Sequence, residues 1–345
     1  MSNGTTSPRD LPACPYCSGS ACEPWLENIE DRLGCAPGRW AFNRCRDCGS
    51  AVLFPQPNAR ELSSYYPPVY NFAPELAGNS RLRRALAWVE ERCFYRPQYE
   101  TQVRLTLRGI GWQSHKAGKL LDVGCGRGLR LQMMRGHGFD VQGMDFQPEI
   151  VRYVEETLGI PCVGCDFEQL PQHFRAESFD VVTAFCVLEH VTDVQGVLRI
   201  CHDLLAPGGW LVAAVPLVNC PQSTILQSRW CQVVEAPRHV TLPSAEGMRR
   251  ACVAAGFEEV AVRPDSVLTC AGYVGLSLAP GSSTMHMYGK GGWRALASRV
   301  WGAVVTMAAI PWCLAENHLW KRPAEGLVFA RKPINAGASA RLGLG

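Results

Sequence analysis

The sequence predicts an α/β protein: a doubly wound parallel sheet with helices on both faces, preceded by a small cysteine-bearing module. Three observations carry this. From Lys119 onward, short apolar runs alternate with helix-like segments, the rhythm of βαβ units. The first run, residues 120–123, ends in a glycine-rich turn, Gly124-Cys125-Gly126-Arg127-Gly128. Well ahead of it stand two Cys-x-x-Cys pairs, Cys14/Cys17 and Cys45/Cys48.

The N-terminal pairs come first. Two residues between cysteines let a tight turn aim both sulfurs at one ion, and Gly49 suits the backbone turn of the second knuckle. Two knuckles complete a tetrahedral thiolate set, the geometry of structural zinc. Cys14, Cys17, Cys45 and Cys48 are therefore the expected Zn2+ ligands, in a zinc-ribbon module over residues 1–55. Four thiolates leave no open coordination position, so this zinc is expected to be structural. Cys22 and Cys35 lie in the intervening loop without that spacing.

Residues 56–117 read as a linker and helical segment. Pro-rich turns lead into a tyrosine cluster, Tyr65, Tyr66 and Tyr70, placed either at a site entrance or in the core. Residues 81–108 show helical spacing at Leu82, Leu86, Val89 and Phe94, with arginines on the other face. The catalytic domain is expected over 118–335, with an insertion at 266–320 before its last strand.

The glycine turn allows a sharp strand-to-helix reversal and close backbone approach to a ligand. Its spacing is G-x-G-x-G, with Asp122 two residues ahead, rather than the G-x-G-x-x-G that seats a pyrophosphate. A second strand, 139–144, ends in Asp145, where a carboxylate can accept both ribose hydroxyls; Phe146 is placed to flank a purine. Gly124, Gly126, Gly128, Asp122, Asp145 and Phe146 thus outline a nucleoside site.

These residues carry a family resemblance. LLDVGCGRG followed by GMDFQPEIV resembles the first two motifs of the class I S-adenosylmethionine (SAM)-dependent methyltransferases. PCVGCDFEQL resembles their third strand; the resemblance implies that Asp166 meets the adenine amino group and Phe167 its ring. FDVVTAFCVLEHV resembles the fourth strand, with Phe185 beside the methionine moiety, and LLAPGGWLVAAVP resembles the fifth. AAGFEEVAV and GLVFARK resemble the sixth and seventh. The implied fold is Rossmann-like, seven-stranded, with the last strand antiparallel. The cysteine pairs, the Pro-x-Pro and tyrosine cluster, and Glu235-Ala-Pro-Arg-His239 resemble a bacterial subgroup with an N-terminal four-cysteine zinc ribbon, often linked to polysaccharide or secondary-metabolite pathways.

The resemblance implies methyl transfer from SAM to an O, C or N nucleophile on a small-molecule or glycan-type acceptor. His190, after the fourth strand, and His239 are the candidate bases, with Glu189 placed to orient either. Residues 216–243 interrupt the αβ rhythm and are expected to shape the substrate pocket.

Composition bounds the alternatives. At 345 residues, 47% hydrophobic and 19% charged, the chain accommodates one large domain and a small one. A net charge of +3 is too small to imply nucleic-acid binding by itself. Within the ribbon, Arg32, Arg39, Arg44 and Arg46 stand against Glu23, Glu27, Glu30, Asp31 and Asp47, which disfavours an RNA methyltransferase, the first alternative. A non-catalytic docking protein is the second, disfavoured by the intact glycine turn and acidic residues. The first fifteen residues are polar where an export signal is apolar, so the seventeen cysteines are expected to stay reduced in a cytoplasmic protein. The longest apolar stretch, 300–314, is interrupted by Pro311 and short of a bilayer span, so a buried or interfacial helix is expected. Trp293, Trp301, Trp312 and Trp320, with Arg294, Arg299, Lys321 and Arg322, leave peripheral membrane contact through 293–322 open. Oligomeric state is not legible.

Overall fold

A computed structural model describes residues 13–32, 34–66, 88–89, 91–113, 117–279 and 293–334. The N-terminal module is an antiparallel meander of β1 (Cys22–Ile29), β2 (Trp40–Cys45) and β3 (Ala51–Phe54). Trp40, Phe42 and Leu53 are buried in it. A fourth strand, β9 (Thr241–Leu242), joins from far along the chain, pairing Ala51 with Leu242 and Val52 with Thr241.

A capped helix, α1 (Ala59–Ser64), follows the meander: Asn58 accepts from the Glu61 amide, and Glu61 reaches back to the Asn58 amide. A π turn (Glu91–Tyr95) leads into α2 (Arg96–Gly109), whose buried positions are Gln102, Val103 and Thr106. Leu82, Leu86 and Tyr70 lie outside the described residues, as does the Phe94 side chain. Val89, one of the positions at helical spacing, is 44% exposed.

The main sheet comprises β4 (Gly118–Val123), β5 (Phe139–Asp145), β6 (Cys162–Gly164), β7 (Phe179–Phe185), β8 (Leu205–Pro216), β10 (Glu258–Pro264) and β11 (Glu325–Arg331). Their order is β10-β11-β8-β7-β4-β5-β6. Strands β4 to β8 run parallel, and β11 runs antiparallel to both β8 and β10. This is the expected seven-stranded Rossmann-like sheet with its last strand reversed. Its central strands are near-continuous apolar runs because helices cover both faces. Helices α3 (Leu129–Gly136) and α4 (Pro148–Leu158) follow β4 and β5; α4 opens on proline and closes on Gly159 in the left-handed conformation. In α5 (Val194–Leu204), Val194, Val197, Leu198, Cys201 and Leu204 form one buried stripe. Helices α6 (Pro221–Leu226) and α7 (Ala245–Ala254) bracket the loop that carries β9. Strand order reverses direction beside β4, so a crevice opens at the carboxyl ends of β4 and β7.

The N-terminal meander and the main sheet are joined through that loop. Besides the β3–β9 pairing, the Tyr16 hydroxyl bonds the Thr241 hydroxyl at 2.8 Å. The Arg238 guanidinium donates to Asp31 at 2.8 Å with both side chains fully buried. A buried ion pair missing one partner leaves an uncompensated charge, so this contact ties ribbon and loop together.

The insertion differs most from expectation. Helices α8 (Val267–Leu278) and α9 (Trp293–Leu314) pack closely: a Cβ on Gly275 would lie 2.1 Å from the Thr306 hydroxyl. Pro311 does not end α9. It sits on the exposed side of the helix. The segment Ala297–Leu319 is long and apolar enough, by length and composition, to cross a bilayer, and only 22% of it is buried. The expectation of a stretch short of a bilayer span is corrected in length, and of the buried or interfacial helix expected there the buried alternative does not hold: Val300, Val304 and Met307 present an exposed apolar face.

Candidate active site

The glycine turn runs from β4 into α3, and all three of its glycines hold positive φ. At Gly124, φ is 69° and a Cβ would come within 2.6 Å of Val187. At Gly126, φ is 50° and a Cβ would meet nothing within 4 Å, so bare backbone faces open space. That space is a cavity of about 590 Å³, large enough for a nucleoside and an acceptor.

Asp145 ends β5 on the cavity wall. Its Oδ2 accepts from the Gly126 amide and its Oδ1 from the Gln147 amide, each at 3.0 Å. These bonds fix the carboxylate while each oxygen keeps a lone pair for a ligand hydroxyl. Burial raises its pKa, and the amide bonds oppose that. Phe146, 42% exposed, and Phe167 line the same cavity, as does Phe185 at the end of β7. Bare backbone, a fixed carboxylate and three aromatic rings in one crevice fit a nucleoside such as that of SAM.

Two expected residues stand off the wall. Asp166 is exposed and caps the turn Phe167–Gln169, its amide bonded by the Gln169 side chain. Asp122 is buried behind the glycine turn and accepts from the Thr183 hydroxyl at 2.6 Å. Burial lifts the Asp122 pKa from 3.8 to about 6, against the lowering effect of the Thr183 bond. Between those values the folded state holds the extra proton, so stability falls as pH rises through the window. Asp122→Asn is therefore expected to stabilise the fold by up to about 3 kcal/mol above pH 6, with the gain gone below about pH 4. Thermal melts across that range check it. A carboxylate kept at a cost to the fold points to ligand binding.

Glu189, His190 and His239 line the same cavity. Glu189 and His190 sit in a 3-10 turn after β7, and the Val240 amide donates to the Glu189 carbonyl at 2.9 Å, drawing the two loops together. The His190 and His239 rings are 4.6 Å apart, centre to centre. Burial pulls His190 down to about 4 and lowers His239 as well, so both imidazoles are neutral at physiological pH. Burial raises Glu189 to about 8.

Other wall residues carried little signal in the sequence. Tyr66 bonds His190 Nδ1 at 2.9 Å and packs edge-on to Phe146 with 5.3 Å between ring centres. It thereby spans the two halves of the site. Tyr65 instead packs against Trp40. Tyr99 from α2 and Tyr273 from α8 line the cavity, and Arg130 lies over the Tyr99 and Phe185 rings at 4.3 and 4.6 Å. Gln232 and Glu235 come from the 216–243 segment.

The four cysteines of the ribbon converge. Their sulfurs all lie within 4.8 Å of one another, with Cys14–Cys48 at 3.6 Å and Cys17–Cys45 at 3.5 Å. A tetrahedron of zinc–sulfur bonds of about 2.3 Å has edges near 3.8 Å, so the cluster fits zinc. It lies in the ribbon, while the cavity is lined by none of the four.

The sequence profile of the methyltransferase-domain family matches residues 90–262, half of the chain. Curated relatives are ubiquinone biosynthesis O-methyltransferases. That of Burkholderia ambifaria is 34% identical over 133 residues, covering 36% of this chain and 55% of the relative. That of Thiobacillus denitrificans is 34% identical over 144 residues, covering 40% and 61%. The chain spans about half the length of the curated relatives it matches. A solved SAM-dependent methyltransferase from Archaeoglobus fulgidus aligns at a TM-score of 0.45 and 19% identity, covering 72% of this chain and 99% of that one. The chain belongs to the methyltransferase-domain family of SAM-dependent enzymes, and it carries an N-terminal four-cysteine cluster that fits a zinc ribbon.

Proposed function

We propose that the chain transfers the methyl group of SAM to a hydroxyl oxygen of a small-molecule acceptor. One observation carries this reading: a single cavity is lined both by the glycine turn, Asp145 and Phe146 and by Glu189, His190 and His239. The names of the relatives favour oxygen as the atom methylated.

SAM, when bound, supplies an electrophilic sulfonium methyl, so the protein's task is to hold the partners in line and remove a proton. Asp145 would hold the ribose, with Phe146 and Phe167 about the base. Asp122 would balance the cationic amino-acid end from behind the turn. The acceptor would lie against Tyr66, Gln232, Glu235 and the two histidines. A neutral imidazole with a free lone pair can take the hydroxyl proton.

The test is transfer of radiolabelled methyl to a panel of phenols, catechols and hydroxylated sugars. His190→Ala and His239→Ala should each lower turnover about 100-fold while leaving S-adenosylhomocysteine (SAH) affinity intact. Full turnover in both variants removes the base role; transfer only to amines or carbon acids removes the hydroxyl reading.

A second reading concerns the exposed face of α9. The chain leaves β10 and re-enters β11 alongside it, Pro264 opposite Gly326, so the insertion must go out and return. Helix α8, at 12 residues, is about 18 Å long and too short for a return span. The reading is a helix lying on a membrane surface, with Trp312, Trp320, Lys321 and Arg322 at its end. Co-sedimentation with anionic phospholipid vesicles should be lost in a Val304→Glu, Met307→Glu double variant. Equal sedimentation of both proteins counts against it.

A further inference from the structure

We propose that Glu189 and Tyr273, the latter backed by Glu325, form a subsite for an ammonium group, so that the acceptor carries a positive charge besides the oxygen that is methylated. The acceptor half rests on the methyl-transfer reading; the ammonium half does not.

The cavity wall is acidic. Glu91, Asp145, Glu189 and Glu235 line it against Arg127 and Arg130. Behind the wall stand two further acids, Asp265 and Glu325, which are 3% and 0% exposed. Burial, then the charges of Asp265 and Glu189, raise the Glu325 carboxyl well above its usual value. The neighbouring guanidiniums are engaged elsewhere. Arg238 pairs with Asp31 and Glu235, and Arg130 donates twice to the Gln102 side chain, at 2.9 and 3.0 Å. Such a wall repels a phosphate or carboxylate and attracts a cation.

Two side chains give the attraction a place. Glu189 is 2% exposed and lines the cavity, yet its Oε2 has no hydrogen-bond partner among the described residues. A buried carboxyl oxygen without a partner is costly, and a ligand N–H would remove that cost. Burial raises Glu189 to about 8, so it is protonated at neutral pH until a nearby cation favours the ionised form. Tyr273, from α8, lines the same cavity and donates its hydroxyl hydrogen to Glu325 Oε2 at 2.5 Å. With that hydrogen committed, its oxygen offers a ligand only lone pairs. The Cys186 thiol lies 3.6 Å from Glu325 Oε1, so both carboxyl oxygens are held and Tyr273 is fixed from behind. An ionised Glu189 and a committed Tyr273 both accept and neither donates. An ammonium group, which only donates and carries the opposite charge, is their complement.

The experiment is calorimetric binding of matched pairs to the full, zinc-loaded, SAH-saturated chain: tyramine against 4-ethylphenol, dopamine against 4-ethylcatechol, and glucosamine against glucose. The ammonium member of at least one pair is expected to bind about tenfold tighter. Glu189→Gln and Tyr273→Phe should each lose most of that preference, with SAH affinity unchanged. No preference in any pair, or an undiminished preference in both variants, overturns the subsite. A fall in SAH affinity in both variants also overturns it, because SAH carries an ammonium of its own and the cation held would be the cofactor's. Preference without methyl transfer to any pair member supports the subsite and counts against hydroxyl methylation. Transfer to the neutral members with no preference overturns the subsite and leaves methyl transfer standing.

Discussion

Asp145→Ala is expected to weaken SAH binding by about 10²- to 10⁴-fold, because it removes two charge-assisted hydrogen bonds of about 1.5–3 kcal/mol each. The carboxylate is set for the task before any ligand arrives. The Gly126 and Gln147 amides hold its two oxygens, and it ends β5 on the cavity wall. Asp145→Asn keeps the shape and one acceptor, so its loss should be intermediate. Calorimetry on the three proteins checks the series. Wild-type affinity in Asp145→Ala would refute the ribose role outright.

Zinc held by Cys14, Cys17, Cys45 and Cys48 should be lost in Cys45→Ser, with a fall in thermal stability beyond the N-terminal module itself. Structural zinc sites contribute about 10–16 kcal/mol of binding free energy at neutral pH, most of which depends on a complete thiolate set. The effect should spread because the ribbon is tied to the loop carrying His239, through the β3–β9 pairing, the Tyr16–Thr241 bond and the buried Asp31–Arg238 pair. Turnover should therefore fall more than SAH affinity, since the Asp145 side of the cavity lies on other elements. Metal content, melting temperature and SAH affinity on one preparation test this. Stoichiometric zinc retained in the variant would rule out the four-thiolate site.

Local signals were the legible ones. The glycine turn, Asp145 at a strand end and the paired cysteines are short-range patterns whose geometry follows from adjacent residues. Their structural positions match those patterns. Contacts closed by long loops left no such trace. Nothing local links Asp31 to Arg238, or Ala51 to Leu242, across roughly two hundred residues. Tyr66 was legible as part of a cluster, yet its bond to His190 depends on tertiary packing. Asp122 was read as a cofactor-binding carboxylate near the glycine turn; it lies buried behind that turn, and its bond to Thr183 of the neighbouring strand left no local trace. Pro311 misled because one proline costs a helix a backbone hydrogen bond and a kink, which the rest of this 22-residue helix offsets.

The central claim is that the glycine turn and Asp145 seat SAM in the cavity shared with His190 and His239. Calorimetric titration of the folded, zinc-loaded chain with SAH tests it most directly. The account predicts one SAH per chain at micromolar affinity. A folded, zinc-loaded chain that takes up no SAH would contradict it.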